Sequence, residues 1–534
     1  MTLLVLALLV PRLGDRWFAR LELFGSRLGQ RKTGTLIALA LSAILLRLAL
    51  LPWFPVPVPE INDEFSYLLA GDTFAHGRLA NPPHPMSLYF ETIHVLQHPT
   101  YASKYPPAQG GVLALGQILG HPWIGVLLSM ALMTAAVTWM LQGWFPPGWA
   151  LLGGIFTLLR FDLVNYWISS YWGGAVAATG GALVLGGYPR VVHSFRPKHA
   201  FLLGIGAALL ACSRPFEGFI LCLPVAVMLS LWLVSKRSPG PAITGKRVVV
   251  PIACMLMACL LFLGYYNWRV TGDAWLFPEA LSQRTYENLP LFAWQKPKPP
   301  LELSNPQLTE FHKERHGRFD GSFAKWKKRS WQRLESWHYF PGSALLIPFV
   351  TLPWMATDRR IRLLLIIVFC SMVGLMAVIY FQYHYAAPIL AAMVGIIVQG
   401  MRHLRQWKWG KRAIGVGLAR AVVLAAVANV GVLAWSTTKQ AAKMEAWNVE
   451  RASFVRQLRA TPGFHLIVVR YSKDHISDNE WVYNRADIDH SKIVWAREIP
   501  GQSLQPLLDY FHGRKVWIVE ADASPPQLKP YSGE

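Results

Sequence analysis

The chain has 534 residues; 53% belong to the hydrophobic set AVILMFWYC, 15% are charged and 23 are Trp. Soluble domains usually carry about 25% charged residues, and the mean hydropathy here is +0.29, so the composition excludes a disordered chain, a fibrous protein and an ordinary cytosolic enzyme. The net charge is +22, from 52 Lys and Arg against 30 Asp and Glu. Such a balance suits nucleic-acid binding or, in a membrane protein, basic cytoplasmic loops.

The N-terminal region, 1–33, is predicted to be a cytoplasmic or interfacial segment. Its first ten residues are apolar but too few to span a bilayer, which takes about 20, and a basic stretch follows Pro11. A signal peptide can also begin in this way, but no A-x-A-like cleavage site is evident.

The apolar runs that follow predict eleven membrane spans. They lie at about 34–54, 122–144, 149–164, 171–188, 199–213, 216–234, 248–266, 341–356, 361–381, 386–401 and 413–435.

The charges between these spans predict their orientation. If the N-terminus is inside, basic clusters such as 359–362 and 402–412 fall in inner loops, whereas the short outer turns 165–170 and 382–385 carry no Lys or Arg. This pattern follows the positive-inside rule. The basic inner loops account for much of the net positive charge, so nucleic-acid binding is not needed to explain it.

The same orientation places three large segments outside: 55–121, 267–340 and 436–534. The last of these is more polar, with an amphipathic stretch at 437–459. Strand-like and helical runs follow it, at 464–469, 493–495, 504–511 and 515–519. We therefore predict an α-helical polytopic membrane domain, 34–435, followed by a small extracytoplasmic α/β domain, 436–534.

The five cysteines predict neither a disulfide framework nor a zinc site. All lie in apolar runs, without C-x-x-C spacing or a nearby His cluster, and are typical of small buried side chains. They are Cys212, Cys222, Cys254, Cys259 and Cys370.

Two acids interrupt the apolar stretch 109–266. Asp162 and Glu217 each lie at the predicted outer end of a span, where a charge is expensive and usually faces a cavity, pairs or takes part in function. The structural alternative is a local pair with Arg160 for the first and with Arg214 for the second.

Three short motifs lie at the same outer face. Asp63 and Glu64 stand just outside the first span, where adjacent acids are also typical of a helix N-terminus. Lys104 begins the sequence K-Y-P-P at the end of the same segment, and it would alternatively snorkel at the interface. His384 begins H-Y-A-A-P at the start of a late span.

In this order the motifs resemble those of the GT-C glycosyltransferases, in particular the branch of protein O-mannosyltransferases and the lipid A aminoarabinose transferase. That branch has an acidic motif after the first span, a K-x-P-P or K-P-P element closing the first loop and an (R/H)-Y-x-x-P motif at a late span. The sequence N-W-R-V-T-G-D at 267–273 is also similar to the exit of a middle span. The likeness covers about 33–435 and does not extend to the C-terminal segment.

The resemblance implies a GT-C-like fold and a polyprenyl-phosphate-linked sugar as donor. An acceptor hydroxyl on a lipid, glycan or protein would attack the anomeric carbon, and the lipid phosphate would leave. No Rossmann glycine motif or P-loop occurs, as expected for a donor that is not a nucleotide. The expected location is the plasma (inner) membrane, with the active site on the extracytoplasmic or periplasmic face and no nucleic-acid partner.

The resemblance also implies roles for individual residues. Asp63 would be the general base, Glu64 would orient Asp63 or the acceptor, and Asp162 would be a second acid in the cavity. The donor phosphate would contact Lys104, His384, Tyr385 and Arg214, and the substrate cavity would include Tyr105 and Glu217. Some GT-C enzymes use a divalent metal, but no metal-ligand spacing here demands one.

Two other functions fit part of the pattern. A transporter or flippase of lipid-linked sugars would also place acids near the membrane face, but it predicts alternating access and often an internal repeat, and no repeat is apparent. A non-catalytic envelope assembly protein predicts that Asp63 can be lost without consequence.

The orientation gives a testable expectation for the C-terminus. A reporter that works only outside the cytoplasm, fused after Ser436, should be active, and a reporter that works only in the cytoplasm should be silent at the same site. The reverse pattern would contradict the predicted topology and, with it, the shared outer face of the motifs.

Overall fold

The computed structural model describes residues 2–299, 301–317, 321–337, 340, 342–441 and 447–532. Residues 442–446, within the predicted amphipathic stretch, lie outside the described residues, as do residues 300, 318–320, 338–339, 341 and 533–534, which fall in other predicted segments.

In the described residues, the α-helices are α1 (Thr2–Leu9), α2 (Asp15–Gln30), α3 (Lys32–Ala49), α4 (Asn62–Ala75), α5 (Pro107–Ile118), α6 (Pro122–Trp144), α7 (Pro147–Thr157), α8 (Ala175–Ser194), α9 (Pro197–Ala211), α10 (Pro215–Leu233), α11 (Pro241–Thr244), α12 (Val250–Thr271), α13 (Pro278–Thr285), α14 (Pro306–Gly317), α15 (Phe323–Ser336), α16 (Leu352–Thr357), α17 (Arg362–Ala377), α18 (Leu390–Leu404), α19 (Ile414–Ala441), α20 (Trp447–Ala460) and α21 (Gln505–Tyr510). Segments of 3₁₀-helix span Ser87–Phe90, Ser343–Thr351 and Tyr383–Ile389, and π-helical turns span Leu158–Asp162 and Gly245–Val249.

The chain is a helical membrane protein. Among the described residues, seven helices are long and apolar enough to cross a bilayer, or eight if the bent pair Ser343–Thr357 and Arg362–Ala377 forms one span. The predicted count of eleven is therefore not confirmed. Helices α7 and α9 have only 11 and 15 residues, fewer than the roughly 20 that a crossing takes.

Helix α10 illustrates how these helices face lipid. Phe219, Leu223, Val227 and Leu231 recur every four residues and are 49–63% exposed, so they form one apolar stripe. An apolar stripe on the outer surface of a helical bundle is stable in contact with lipid tails and unfavourable in contact with water.

The 3₁₀ segment Tyr383–Ile389, which carries the late motif, packs tightly against α8. A Cβ atom on Gly181 of α8 would lie 1.8 Å from the carbonyl oxygen of Pro388. Only glycine permits this approach, which fixes the start of α18 against the bundle.

The C-terminal region contains a four-stranded sheet of order β4-β3-β5-β6. Its strands are β3 (His465–Arg470), β4 (Ile493–Arg497), β5 (Lys515–Glu520) and β6 (Leu528–Pro530), and a separate pair is formed by β1 (Val95–Leu96) and β2 (Ala102–Ser103). Strand β3 is parallel to β4 and β5, and β6 is antiparallel to β5. Leu466 faces one hydrophobic cluster and Ile467 the other, the alternation expected of a strand buried on both sides.

The three large segments between and after the membrane helices pack together, and we call this surface (the described residues of 55–121, 267–337 and 447–532) the loop face. One hydrophobic cluster joins Phe65 and Leu69 of α4 to Leu466 of the sheet. Arg497 connects all three segments, because its guanidinium donates to the Glu91 carbonyl oxygen and to the Gln307 side chain.

Arg497 also forms a buried ion pair with Glu480, at 2.5 Å, with side chains 0% and 2% exposed. Breaking a buried pair on one side leaves an uncompensated charge, at a cost of about 3–5 kcal/mol. The pair Arg470–Glu498 on the same sheet is instead 43% and 26% exposed, and such pairs contribute about 0–1 kcal/mol.

Arg497→Met should therefore destabilise the loop face far more than Arg470→Met. In thermal melts of the purified full-length protein, the first variant should melt several degrees below the wild type and the second close to it. Equal shifts for the two variants would contradict the assigned difference in burial.

Candidate active site

Helix α4 begins at a buried carboxylate. Glu64, which is 3% exposed, accepts hydrogen bonds from the backbone N–H groups of Glu60 and Ile61 through Oε2, at 2.8 and 3.0 Å, and from the Tyr171 N–H through Oε1, at 2.8 Å. The bond from Ile61, the N-cap residue, is the half of a capping box that an acid at the third helical position supplies. The third fastens α4 to the segment that precedes α8.

Burial raises the pKa of Glu64 to about 7, against the opposing effect of these three backbone donors. Both carboxylate oxygens are occupied by backbone groups, and neither bonds to Asp63. The structure thus places Glu64 where it fixes the start of α4.

Asp63, one position earlier, remains accessible, with its side chain 19% exposed. Its Oδ1 accepts a hydrogen bond from the hydroxyl of Tyr105, and its Oδ2 lies 3.7 Å from Nε2 of His94. The Tyr105 ring stacks on Tyr67, with centroids 4.4 Å apart. These contacts hold the carboxylate in one direction while leaving it open to a ligand.

His94 has a left-handed backbone, with φ of 65°, a conformation that is uncommon outside glycine and often found at functional sites. Burial lowers the pKa of His94 well below its ordinary value, with help from the charges of Lys104 and Arg315. The imidazole beside Asp63 is therefore neutral at physiological pH.

Lys104 forms a buried ion pair. Its Nζ lies 2.7 Å from Oε1 of Glu287, and each side chain is 7% exposed. Burial alone would raise the pKa of Glu287, but the Lys104 ammonium outweighs it and lowers that pKa. The positive charge of Lys104 is thus held in place and partly compensated.

Arg214 provides a second cation, which packs against the ring of Tyr385. The guanidinium carbon lies 4.0 Å from the centroid of the Tyr385 ring, a cation–π contact. Glu217 follows one turn later in α10 and is 9% exposed. Together with Ser371 and Pro388, Tyr385 and Glu217 line a small cavity of about 10 Å³, roughly the room that one water needs.

His384 is 1% exposed. Its Nδ1 lies 3.3 Å from the Tyr166 hydroxyl, and its ring packs at 4.5 Å against Trp172. Its Nε2 has no hydrogen-bond partner among the described residues, which leaves one buried nitrogen to be satisfied by a ligand or water.

Asp162 stands apart from these groups. It is 1% exposed and accepts a hydrogen bond from Thr134, at 2.5 Å, while its Oδ1 has no partner within the described part of the chain. No hydrogen bond or ion pair between described residues joins it to Asp63 or Lys104. Its place in the catalytic group remains a prediction.

Sequence reasoning missed several ionisable residues of this region: His94, Glu279, Glu287 and Arg315. Burial raises the pKa of Glu279, and the carboxylates of Glu287 and Asp63 add to the effect, so these acids share one electrostatic environment. The segment 55–121 contains five histidines, and nothing in its local sequence distinguishes His94 from the others. Nothing in the sequence links Glu287 to Lys104, which precedes it by 183 positions.

The described residues contain no group of three or more His, Cys, Asp or Glu side chains arranged to hold a metal ion. They thus offer no ready-made site for the divalent ion that the family resemblance leaves open.

Glu64→Gln should remove a pH dependence of stability. The folded protein keeps the Glu64 proton up to about pH 7, whereas an ordinary Glu loses it near pH 4.5, so the folded state binds more protons in between. The stability that the Glu64 proton contributes is therefore fully present below about pH 4.5, and it is lost as the pH rises to about 7. The wild-type melting temperature should fall relative to that of Glu64→Gln between about pH 5 and about pH 7.5.

The matched control is Glu60→Gln, an exposed acid at the same helix start. Its charge is the smallest of the effects on the pKa of Glu64, so this variant should nearly keep the wild-type pH profile. A difference between wild type and Glu64→Gln that is constant with pH would contradict the assignment.

No protein-family model matches the chain, and no curated protein is significantly similar to it in sequence. Among solved structures, the chain is similar to the oligosaccharyltransferase of Archaeoglobus fulgidus in complex with zinc and sulfate, with 12% identity and a TM-score of 0.48 over 91% of this chain and 67% of that one. It is also similar to ArnT from Cupriavidus metallidurans. The apo form gives 13% identity and a TM-score of 0.48 over 89% of this chain and 91% of that one, and the form bound to undecaprenyl phosphate gives 12% and 0.48 over 91% and 92%.

The present chain thus spans about two thirds of the archaeal protein and most of ArnT. Likeness at this level does not define the activity of the chain, which must come from its own side chains. Both of these similar proteins are GT-C glycosyltransferases, the superfamily that the sequence motifs resemble.

Proposed function

We propose that the chain is a membrane glycosyltransferase that moves a sugar from a polyprenyl-phosphate-linked donor to an acceptor hydroxyl at the loop face. The observation that carries this proposal is the Asp63 carboxylate, which is directed by Tyr105 and His94 yet partly exposed. An accessible carboxylate held in one orientation is what a general base for a hydroxyl requires.

In the proposed reaction, the acceptor oxygen forms a bond to the anomeric carbon as the bond from that carbon to the phosphate oxygen breaks. The hydroxyl proton passes to Asp63, and the bonding electrons leave with the lipid phosphate. Because this phosphate is a stable anion, the reaction needs cations near the leaving group more than a strong acid.

Two groups would meet the phosphate: Lys104 of the loop face, and the pair of Arg214, at the start of α10, with Tyr385, in the 3₁₀ segment before α18. The ammonium of Lys104 is a compact point charge with three donors, held in place by Glu287. The unsatisfied Nε2 of His384 would add a hydrogen bond rather than a full charge. We assign Glu64 the role of fixing the start of α4, and thereby the direction of Asp63.

We place this chemistry at the extracytoplasmic side of a plasma (inner) membrane, following the distribution of basic residues. The acceptor is a hydroxyl of a lipid, a glycan or a protein. A flippase of lipid-linked sugars and a non-catalytic assembly protein are the alternatives, and neither would form a new glycosidic bond.

Asp63→Asn should lower sugar transfer by about 10²- to 10⁴-fold, because the amide keeps the size of the side chain but cannot take the proton. The measurement is transfer of radiolabelled sugar from a polyprenyl-phosphate donor by the purified variant, with its melting temperature as a check on folding. Glu60→Gln, three residues earlier, should retain wild-type transfer. Wild-type turnover in well-folded Asp63→Asn protein would reject the role of Asp63.

Lys104→Ala should raise the KM for the donor by about 10- to 100-fold, the worth of a hydrogen bond to a charged group, and change the acceptor KM much less. Glu287→Gln is the matched control, since it breaks the same ion pair but keeps the cation, and should leave donor use intact. If both variants lose donor use equally, the ion pair is structural, and Arg214 becomes the phosphate candidate.

A further inference from the structure

The C-terminal region that contains the sheet contacts α4 near both of its ends. Near the helix start, the ring of Tyr483 stacks on Phe65, with centroids 4.3 Å apart and planes at 6°. Near the helix end, Arg485 pairs with Asp72 at 2.7 Å, and the N–H of Ala486 donates to the same carboxylate at 2.8 Å. Four consecutive residues, 483–486, therefore fasten both ends of the helix that carries Asp63.

Tyr483 also reaches the other side of Asp63. Its hydroxyl donates to the carbonyl oxygen of Ile93, at 3.2 Å, and the next residue, His94, faces the carboxylate. The His94 carbonyl in turn accepts a hydrogen bond from Ser66 of α4, at 2.7 Å. One side chain thus joins the two pieces of backbone between which Asp63 lies.

Tyr483 is itself firmly held. It is 7% exposed, and its carbonyl oxygen accepts a hydrogen bond from Arg451 at 2.8 Å. The guanidinium of Arg451 lies 5.0 Å above the Phe65 ring, so an α20 residue packs on the same contact. The stack is therefore a buried junction between α4 and the C-terminal region.

We propose that Tyr483 is a positioning residue for Asp63, and that residues 483–486 give the C-terminal region its role in the reaction: they hold α4 and His94 at the distance that directs the carboxylate. This inference rests on the proposed function of Asp63 as the base. It assigns no contact between Tyr483 and the substrate.

The test compares two variants of the full-length protein. Tyr483→Leu removes both the stack and the hydroxyl, and a displacement of α4 by about 1 Å should lower kcat by about 10- to 100-fold with the donor KM nearly unchanged. Tyr483→Phe removes only the bond to Ile93 and should lower kcat by about fivefold. Tyr510→Leu, an aromatic of the same region that packs on His84 instead, should be close to wild type.

Hydrogen exchange gives a second readout that does not depend on transfer. In Tyr483→Leu, amides 66–70 of α4 should exchange faster, while the amides of β3 and β5 keep their protection. Unchanged exchange in α4, or a loss confined to KM, would overturn the proposal. If β3 and β5 also lose protection, Tyr483→Leu has disturbed the sheet itself, and the milder variant Tyr483→Phe becomes the test. A wild-type kcat in Tyr483→Phe would then reject the positioning role.

The proposed transferase activity and the positioning role of Tyr483 can be rejected independently. Absence of transfer in the wild type would reject the proposed function, whereas the exchange data would still show whether Tyr483 fixes α4.

Discussion

The geometry of the loop face depends on the satisfaction of backbone N–H groups at the start of α4. The first N–H groups of a helix have no partner within it, so they need other acceptors. Glu64 supplies the acceptor for Glu60 and Ile61, and its second oxygen holds Tyr171. Because these bonds fix the first turn, the adjacent Asp63 must project from one defined position, where Tyr105 and His94 meet it.

The charges around Asp63 are arranged as compensated groups rather than as one basic patch. Lys104 is paired with Glu287, and Arg214 rests on the Tyr385 ring. Such an arrangement keeps buried cations in place at a tolerable desolvation cost. It leaves the partly exposed carboxylate of Asp63 as the acid best placed to accept a proton.

The sequence predicted the regular elements better than their connections. The strand-like runs located β3 and β5 to within one residue, whereas β6 was missed because Leu528–Pro530 is short and contains a proline. The predicted span 171–188 begins four residues too early, since apolar aromatic residues before Ala175 lie in an irregular segment. At the site, adjacent acids after the first span could also mark a helix N-terminus, and Glu64 has that structural role. The partners Glu287 and His94 come from tertiary packing, which no local pattern encodes.

The most direct test of the account is whether the purified wild-type protein forms a glycosidic bond. Incubation with a radiolabelled polyprenyl-phosphate sugar and an envelope extract as acceptor should give a labelled product together with free polyprenyl phosphate. Release of both products, lost in Asp63→Asn, is the predicted result. Movement of intact labelled donor across a vesicle membrane without any new glycoside would contradict the account and identify a transporter.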